Sequence, residues 1–365
     1  MKHWELTESG QTSVKRTDIH VPHKELLRTP ADLDHFWVIT VLSNPIRYKR
    51  RYELYWRFKE MCQQAGVKLV TVEQAFGDRP FMVTNASDPF HLQVRTVEEL
   101  WHKENMINLG VRHAQAIAPA LGLRVREVAW VDADCRPSRS YRDWFEETWH
   151  QLQHYQFVQM WEHLIDLDIN FNPIGEAQPG FMANYVKYGS PNPEEFRRVE
   201  QMNEYDIATK QNITRIFGRP GLAWAANIDA WNHVGGLIDY SILGAGDWYM
   251  AHGLIGSLQG AQAEFAGGSY MQKMLQWQER AQRWIKRDVG YVPGVVFHDF
   301  HGRKALRFYG SRGKILRDCN YNPETDIKYD SHGMTQLETW DDRQIKLRDL
   351  IRGYFRMRNE DSIDL

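Results

Sequence analysis

Apolar positions in this chain come in short runs, and helically spaced stretches separate them. FWVITVLSNP (36–45) is an apolar run ended by Ser-Asn-Pro, which predicts a strand with a turn at its C-terminal end. In the following IRYKRRYELYWRFKEMCQQAG (46–66), Tyr48, Tyr52, Tyr55, Trp56 and Phe58 recur at roughly helical spacing, and Gly66 can close the helix. VKLVTVEQAF (67–76) predicts a second strand, and VEELWHKENMINLGVRHAQAIAPALG (97–122) a long helix. VREVAWVDAD (125–134) predicts a third strand and YRDWFEETWHQLQ (141–153) a further helix. Strands alternating with helices imply an α/β domain with a largely parallel sheet.

The second half is less regular. FVQMWEHLIDLD (157–168) reads as a strand and its exit, and 170–195 as a loop-rich stretch with Pro and Gly throughout. Residues 221–239 predict a strand, a helical turn and a Gly-Gly turn, and 243–256 a glycine turn into a helix. VGYVPGVVFHDFHG (289–302) predicts a strand ending in two histidines. Residues 1–33 are polar and without a clear period, an extension; 321–365 form a polar tail with one helix at 341–358.

Charge narrows the field only a little. With 45 Lys+Arg against 47 Asp+Glu among 365 residues, no global charge points to nucleic acid or membrane. Cys62, Cys135 and Cys319 are odd in number and widely spaced, against a disulfide framework and in keeping with a reducing compartment. The opening MKHWELTESGQTS has no apolar signal region, and no apolar run approaches the ~18 residues of a membrane helix. The expectation is a soluble cytoplasmic protein. Its 14 Trp and 16 Tyr serve mostly a core, but flat faces also bind sugars and bases.

Parallel sheets place ligands at the carboxyl ends of their strands, and Asn44, Glu73, Asp132 and Asp134 all fall there. Asp-x-Asp occurs three times, at Asp32/Asp34, Asp132/Asp134 and Asp166/Asp168. Only the second ends an apolar strand of the alternating half and runs into a turn. Carboxylates two apart on a strand share a face and can approach one hard cation, though a solvated strand end fits equally. His298 and His301, spaced i, i+3, can face one point if the strand turns; together with Asp132 and Asp134 they suit Mn²⁺, and Zn²⁺ less well. In GAGD (244–247), Asp247 at a helix start is either an N-cap or a general base. GRKALRFYGSRGKILR (302–317) holds six basic residues and no acid, a solvated face or a phosphate cradle. Dinucleotide, P-loop, GxSxG and CxxC fingerprints are absent.

In chain order, SNPIR (43–47), KENMINLG (103–110), WVDAD (130–134), GGLID (235–239), GAGD (244–247) and HDFH (298–301) resemble the motif series of GT-A glycosyltransferases, above all the galactosyltransferase-like branch. The likeness spans about residues 36–317. LWHKEN, WVDAD, LQHYQFVQMW and the late HxxHG are also similar to a glycosyltransferase-like group carried by bacteriophages. The resemblance implies a GT-A fold, Rossmann-like with a mostly parallel central sheet flanked by helices. Its domain would cover 34–320, with a nucleotide-sugar half at 34–168 and an acceptor and metal half at 169–320.

It further implies a nucleotide-sugar donor, UDP-sugar foremost, and a divalent cation, Mn²⁺ ahead of Mg²⁺. Carried over residue by residue, Asp134 and Asp132 bind metal and the ribose-diphosphate, and His298 and His301 take the late metal positions. Asn44, Arg47, Glu73 and Lys103 match the donor pocket. Asp247 matches the acid that serves as base in inverting members. The family carries two or three acids at that motif, whereas here Trp248 and Tyr249 follow Asp247. Trp224 and Trp248 are candidates to stack on a sugar or an acceptor base. The implied acceptor is a hydroxyl, that of a 5-hydroxymethylpyrimidine in phage DNA ahead of that of a saccharide. A metallo-phosphohydrolase and a non-catalytic nucleotide-sugar-binding protein are the readings from other classes.

Overall fold

The structure, a computed structural model, describes residues 30–189, 217–258, 268–309 and 311–363, and the strands Glu5–Leu6 and Thr12–Ser13. The chain divides into two units, Met1–Asp32 and Leu33–Leu365. In the first, β1 (Glu5–Leu6) pairs antiparallel with β2 (Thr12–Ser13). Most of the expected 1–33 extension lies outside the described residues.

In the second unit the chain runs β3 (Phe36–Ser43), α1 (Lys49–Ala65), β4 (Lys68–Phe76), β5 (His91–Thr96), α2 (Lys103–Ile117) and β6 (Glu127–Val131). There follow β7 (Cys135–Pro137), α3 (Tyr141–Leu152), β8 (Phe157–Gln159), β9 (His163–Leu167), β10 (Pro173–Pro179) and α4 (Phe181–Tyr188). Then come β11 (Ala223–Asn227), α5 (Ile228–Val234), α6 (Gly246–Leu254), α7 (Ser269–Trp284), β12 (Val289–Tyr291) and β13 (Val295–His298). Last are α8 (Lys314–Asp318), β14 (Ile327–Tyr329), β15 (Thr335–Leu337) and α9 (Asp342–Met357).

The central sheet has seven strands in the order β12-β8-β11-β6-β3-β4-β5. Strand β11 runs antiparallel to both its neighbours, and every other pairing is parallel. This is the mixed α/β architecture, with a mostly parallel sheet flanked by helices, that the alternation predicts. β3 and β4 are buried almost throughout, as strands covered on both faces must be. Gly110 lets α2 lie close on them, because a Cβ there would come within 2.6 Å of Ile39 and 2.9 Å of Val72.

The helices are shorter than their periods suggest. α1 starts at Lys49 because Arg47, at φ 65°, closes a turn onto the Asn44 carbonyl; Gly66 ends the helix left-handed at φ 75°. α2 starts at Lys103, since Trp101 donates its N–H across the fold to Ile242, and it tightens into a 3₁₀ turn at Pro119.

Two stretches that read as single strands each change sheets. Within 157–168, β8 belongs to the central sheet and β9 to a second sheet, ordered β10-β9-β13-β7. Within 289–302, β12 and β13 divide in the same way. Pro293 has no N–H for a ladder and Gly294 takes φ 126°, so the break there is chemical. The stretch read as loop at 170–195 instead forms β10, antiparallel to β9, and α4, as far as it is described.

The polar segment from 321 is part of the body. Met334, Leu347, Ile351 and Tyr354 join the same buried cluster as Trp37 and Trp130. All three cysteines are free and buried, and among the described residues no helix is long and apolar enough to cross a membrane.

Candidate active site

β6 delivers its carboxylates into a tight turn. The Cys135 N–H returns to the Asp132 carbonyl at 2.9 Å, and the chain enters β7. β13 lies beside β7, with His298 opposite Cys135, and the Asp299 N–H binds the Asp134 carbonyl at 2.8 Å. Asp134 and the two histidines therefore meet. Asp134 Oδ2 lies 2.7 Å from His301 Nε2 and 3.7 Å from His298 Nε2, and the two Nε2 atoms are 3.2 Å apart. Ligands of one cation, at bonds near 2.1 Å, sit about 3.0–3.4 Å from one another, so the triad is close to that spacing.

Arg307 Nη2 lies 3.0 Å from His301 Nε2, so a guanidinium faces the same nitrogen that meets Asp134. Burial holds His301 below the usual imidazole range, and Arg307 adds to this. Burial opposes charge on His298 too, but Asp134 and Asp166 outweigh it and raise that group. Burial would also raise Asp134, yet His301 and His298 hold it well below the usual carboxylate range. Asp134 Oδ1 is buried with no hydrogen-bond partner. Three side chains able to ligate thus converge, and one carboxylate oxygen is orphaned, a donor set that fits a divalent cation. Among the described residues, Asp134, His298 and His301 are the group of His, Cys, Asp and Glu gathered in this way.

Behind the triad stands a residue that the local pattern hid. Asp166, from the third Asp-x-Asp pair, lies opposite His298 in the parallel β9–β13 register and accepts from His298 Nδ1 at 2.8 Å. A carboxylate on the far nitrogen fixes the ring and its tautomer, leaving Nε2 free to ligate. Asp166 is itself held by Arg219 at 3.4 Å and by Lys304. Asp168, two residues on, only orders an exposed turn through Asn170 and Asn172. No local pattern distinguishes Asp166, because its partner is 132 residues away.

Asp132 turns elsewhere. Its carboxylate grips Lys103 Nζ at 2.6 Å and does not join the triad. Burial would discharge Lys103, but Asp132, Asp247 and Glu104 outweigh it and raise its pKa. These groups border a cleft lined by Lys103, Glu104, Trp130, Trp224, Gly246 and Asp247. Two glycines make room for its carboxyls. A Cβ at Gly246 would lie 2.6 Å from the Glu104 carboxyl, and one at Gly221 would lie 2.7 Å from Asp247 Oδ2. Glu104, which the pattern did not single out, is pushed up to about 8 by burial. Trp224 is buried in the cleft floor, its Nε1 given to the Pro220 carbonyl at 2.5 Å. Trp248 packs edge-on against Phe181, Phe217 and His252 and does not line the cleft.

Asn44, Arg47 and Glu73 line a second pocket, with Tyr52, Gln74 and Arg79, at the carboxyl ends of β3 and β4. Two of the three are committed to backbone. Asn44 both donates to and accepts from the Tyr48 main chain, at 2.8 and 2.9 Å, which fixes the entry to α1. Glu73 accepts from the N–H groups of Met82, Val83 and Thr84 and from the Thr84 hydroxyl, at 2.6–3.0 Å. Glu73 therefore builds the pocket wall. Glu73→Ala strands four donors, and the expected loss is about 2–4 kcal/mol in urea unfolding.

The basic run turns inward at three places. Lys304 reaches Asp166, Arg307 reaches His301, and Arg312 meets the Tyr354 hydroxyl at 2.9 Å. Gly244 makes way for Arg312, since a Cβ there would lie 3.0 Å from its guanidinium. Arg312 thus ties the basic run to the GAGD turn. Arg303, Lys314 and Arg317 stay exposed.

No protein-family model and no curated protein matches this chain. Among solved structures, it is similar to the catalytic domain of Drosophila beta1,4-galactosyltransferase 7 in complex with xylobiose. The TM-score is 0.34 at 10% identity, covering 86% of this chain and 98% of that one. A mutant of the same Drosophila enzyme, complexed with manganese, UDP-Gal and xylobiose, gives 0.33 at 9% identity, with the same coverage. A likeness this distant carries no functional weight, and the functional reading rests on the side chains of this chain.

Proposed function

We propose that this chain is a cation-dependent glycosyltransferase of GT-A type, moving a sugar from a nucleotide-sugar donor to an acceptor hydroxyl. The observation that carries the reading is the triad of Asp134, His298 and His301, flanked by the buried Arg307 and by a carboxylate-bearing cleft. A cation held there would neutralise charge on a diphosphate leaving group. Mn²⁺ suits the mixed nitrogen and oxygen donors, and Mg²⁺ less so.

The chain's own residues supply the rest. Arg307 places fixed positive charge beside the triad, where phosphate oxygens gain it without reorganisation. Lys103, kept charged by its carboxylate neighbours, holds Asp132 at the cleft edge. Asp247 is the group we assign to take the acceptor proton, and inversion at the anomeric carbon would follow. Arg47, exposed at the second pocket, is assigned to the donor nucleotide.

Two acceptor classes remain in play, a saccharide and a hydroxymethylpyrimidine in DNA. The Asp247 carboxylate faces the cleft, which favours an uncharged polyol over a polyanionic strand. The exposed Arg303, Lys314 and Arg317 are what a DNA acceptor would use. Incubation with Mn²⁺, a panel of nucleotide sugars, and either saccharides or hydroxymethylcytosine DNA, read by product mass, separates the two. A hexose increment on saccharide alone is the expected result, and one on DNA alone reverses the assignment. A phosphohydrolase would release nucleotide monophosphate or inorganic phosphate without transfer.

Arg307 gives a sharper test, because the guanidinium and a cation compete for one nitrogen. Arg307→Gln should tighten Mn²⁺ alone and weaken UDP at saturating Mn²⁺, each by about tenfold, the scale of one charged hydrogen bond. Titration calorimetry reads both. Opposite signs support the placement, and equal weakening of both ligands removes Arg307 from the phosphate role.

A further inference from the structure

We propose that the segment Arg358–Asp361 is a latch that completes the cation centre, with Glu360 as the positioning residue for His301. The proposal rests on the triad being a cation site. Nothing in the local sequence marks NED (359–361), a polar stretch just past α9.

The segment is anchored at four points. The Asp361 carboxylate accepts from the Lys49 and Arg50 N–H groups at 2.9 and 2.8 Å, capping the first turn of α1. The Tyr48 hydroxyl donates to the Phe355 carbonyl at 3.1 Å and accepts from the Asn359 N–H at 3.0 Å. Glu360, 1% exposed, is gripped by Arg51 and by Arg358, the latter at 2.6 Å. Gly302, next to His301, takes φ 85°, and a Cβ there would lie 2.9 Å from the Asn359 carbonyl and from Glu360 Cα. The glycine of HxxHG is thus the place where the latch backbone seats against the metal loop.

That seating sets Glu360 Oε2 at 3.7 Å from His301 Nδ1, the ring nitrogen turned away from Asp134 and His298. The two histidines then have matching supports. Asp166 stands behind His298 through a direct hydrogen bond, and Glu360 stands behind His301 through a longer electrostatic contact. Arg307 lies on the other side of the His301 ring, so a carboxylate on this side balances a guanidinium on that one. Outer carboxylates hydrogen-bonded to a ligating histidine typically carry 10–100-fold of metal affinity, and the longer Glu360 contact belongs at the low end of that range.

The test compares Glu360→Gln, Glu360→Asp and Asp361→Ala with the wild-type chain. Mn²⁺ affinity is read by electron paramagnetic resonance well below the melting temperature, and the Co²⁺-loaded absorption spectrum reports His301 coordination. We expect E360Q to bind Mn²⁺ at least about tenfold more weakly and to shift the Co²⁺ bands. E360D, which keeps the charge but withdraws it by one methylene, should fall between; it carries the test if E360Q does not fold. D361A, which loosens the anchor, should weaken binding by less. A lower apo melting temperature with wild-type Mn²⁺ affinity and an unchanged Co²⁺ spectrum overturns the latch and leaves the cation site standing. A wild-type chain that binds no Mn²⁺ overturns both.

Discussion

Asp134→Ala is expected to abolish both Mn²⁺ binding and sugar transfer. Asp134 supplies the one anionic atom of the triad, with Oδ2 at 2.7 and 3.7 Å from the two imidazole nitrogens. Two histidines beside Arg307 are a poor host for a dication, because the guanidinium then repels it without a ligating anion to oppose it. Affinity should drop by more than about 100-fold, beyond the range usual for an outer partner. The same substitution at Asp132 predicts a different phenotype. Its carboxylate belongs to Lys103, so Asp132→Ala should retain Mn²⁺ within a few-fold and disturb the cleft instead. Paired titrations of the two alanine variants check this. Equal loss of Mn²⁺ in both would make Asp132 a direct ligand of the ion.

The second large effect is expected for Asp247→Asn. Asn is isosteric and keeps the acceptor that takes the Trp248 N–H at 2.9 Å, so the turn should survive. What it removes is a proton acceptor facing the cleft past Gly221. General-base loss typically costs 10²–10⁴ in rate, so kcat should fall by about that much with Mn²⁺ and donor binding unchanged. Glu104 is the internal control. Burial pushes it up to about 8, so it stands protonated near neutral pH and can donate but not accept a proton. Glu104→Gln should therefore keep most of the activity that D247N loses. The reverse ranking would move the base to Glu104.

How much of this was legible in the sequence depends on whether partners were near in the chain. β3, β4 and β6 read cleanly because strands buried on both faces are continuous apolar runs, and α2 because its apolar face recurs. The closing of Asp134 with His298 and His301 could be anticipated, since a strand-end acid and a late histidine pair are both visible. Their supports could not. Asp166 and Glu360 look like ordinary polar residues until β9 and the Arg358–Asp361 segment dock. The crossovers of β8 into β9 and β12 into β13 were invisible to periodicity, because each pair is one apolar stretch bent between two sheets. Asn44 and Glu73 occupy strand ends, where ligands are expected, yet their polar atoms bind their own main chain. Position at a sheet edge is a local inference; where a side chain's hydrogen bonds go is not.

The central claim is that cation and donor share one site built on Asp134, His298 and His301. It is tested most directly by titrating a panel of UDP-sugars into the wild-type chain in Mn²⁺ and again in excess EDTA. The account predicts saturable binding of at least one UDP-sugar in Mn²⁺, lost in EDTA and lost in Asp134→Ala. Binding of equal strength in EDTA, or no binding by any UDP-sugar at saturating Mn²⁺, would contradict it.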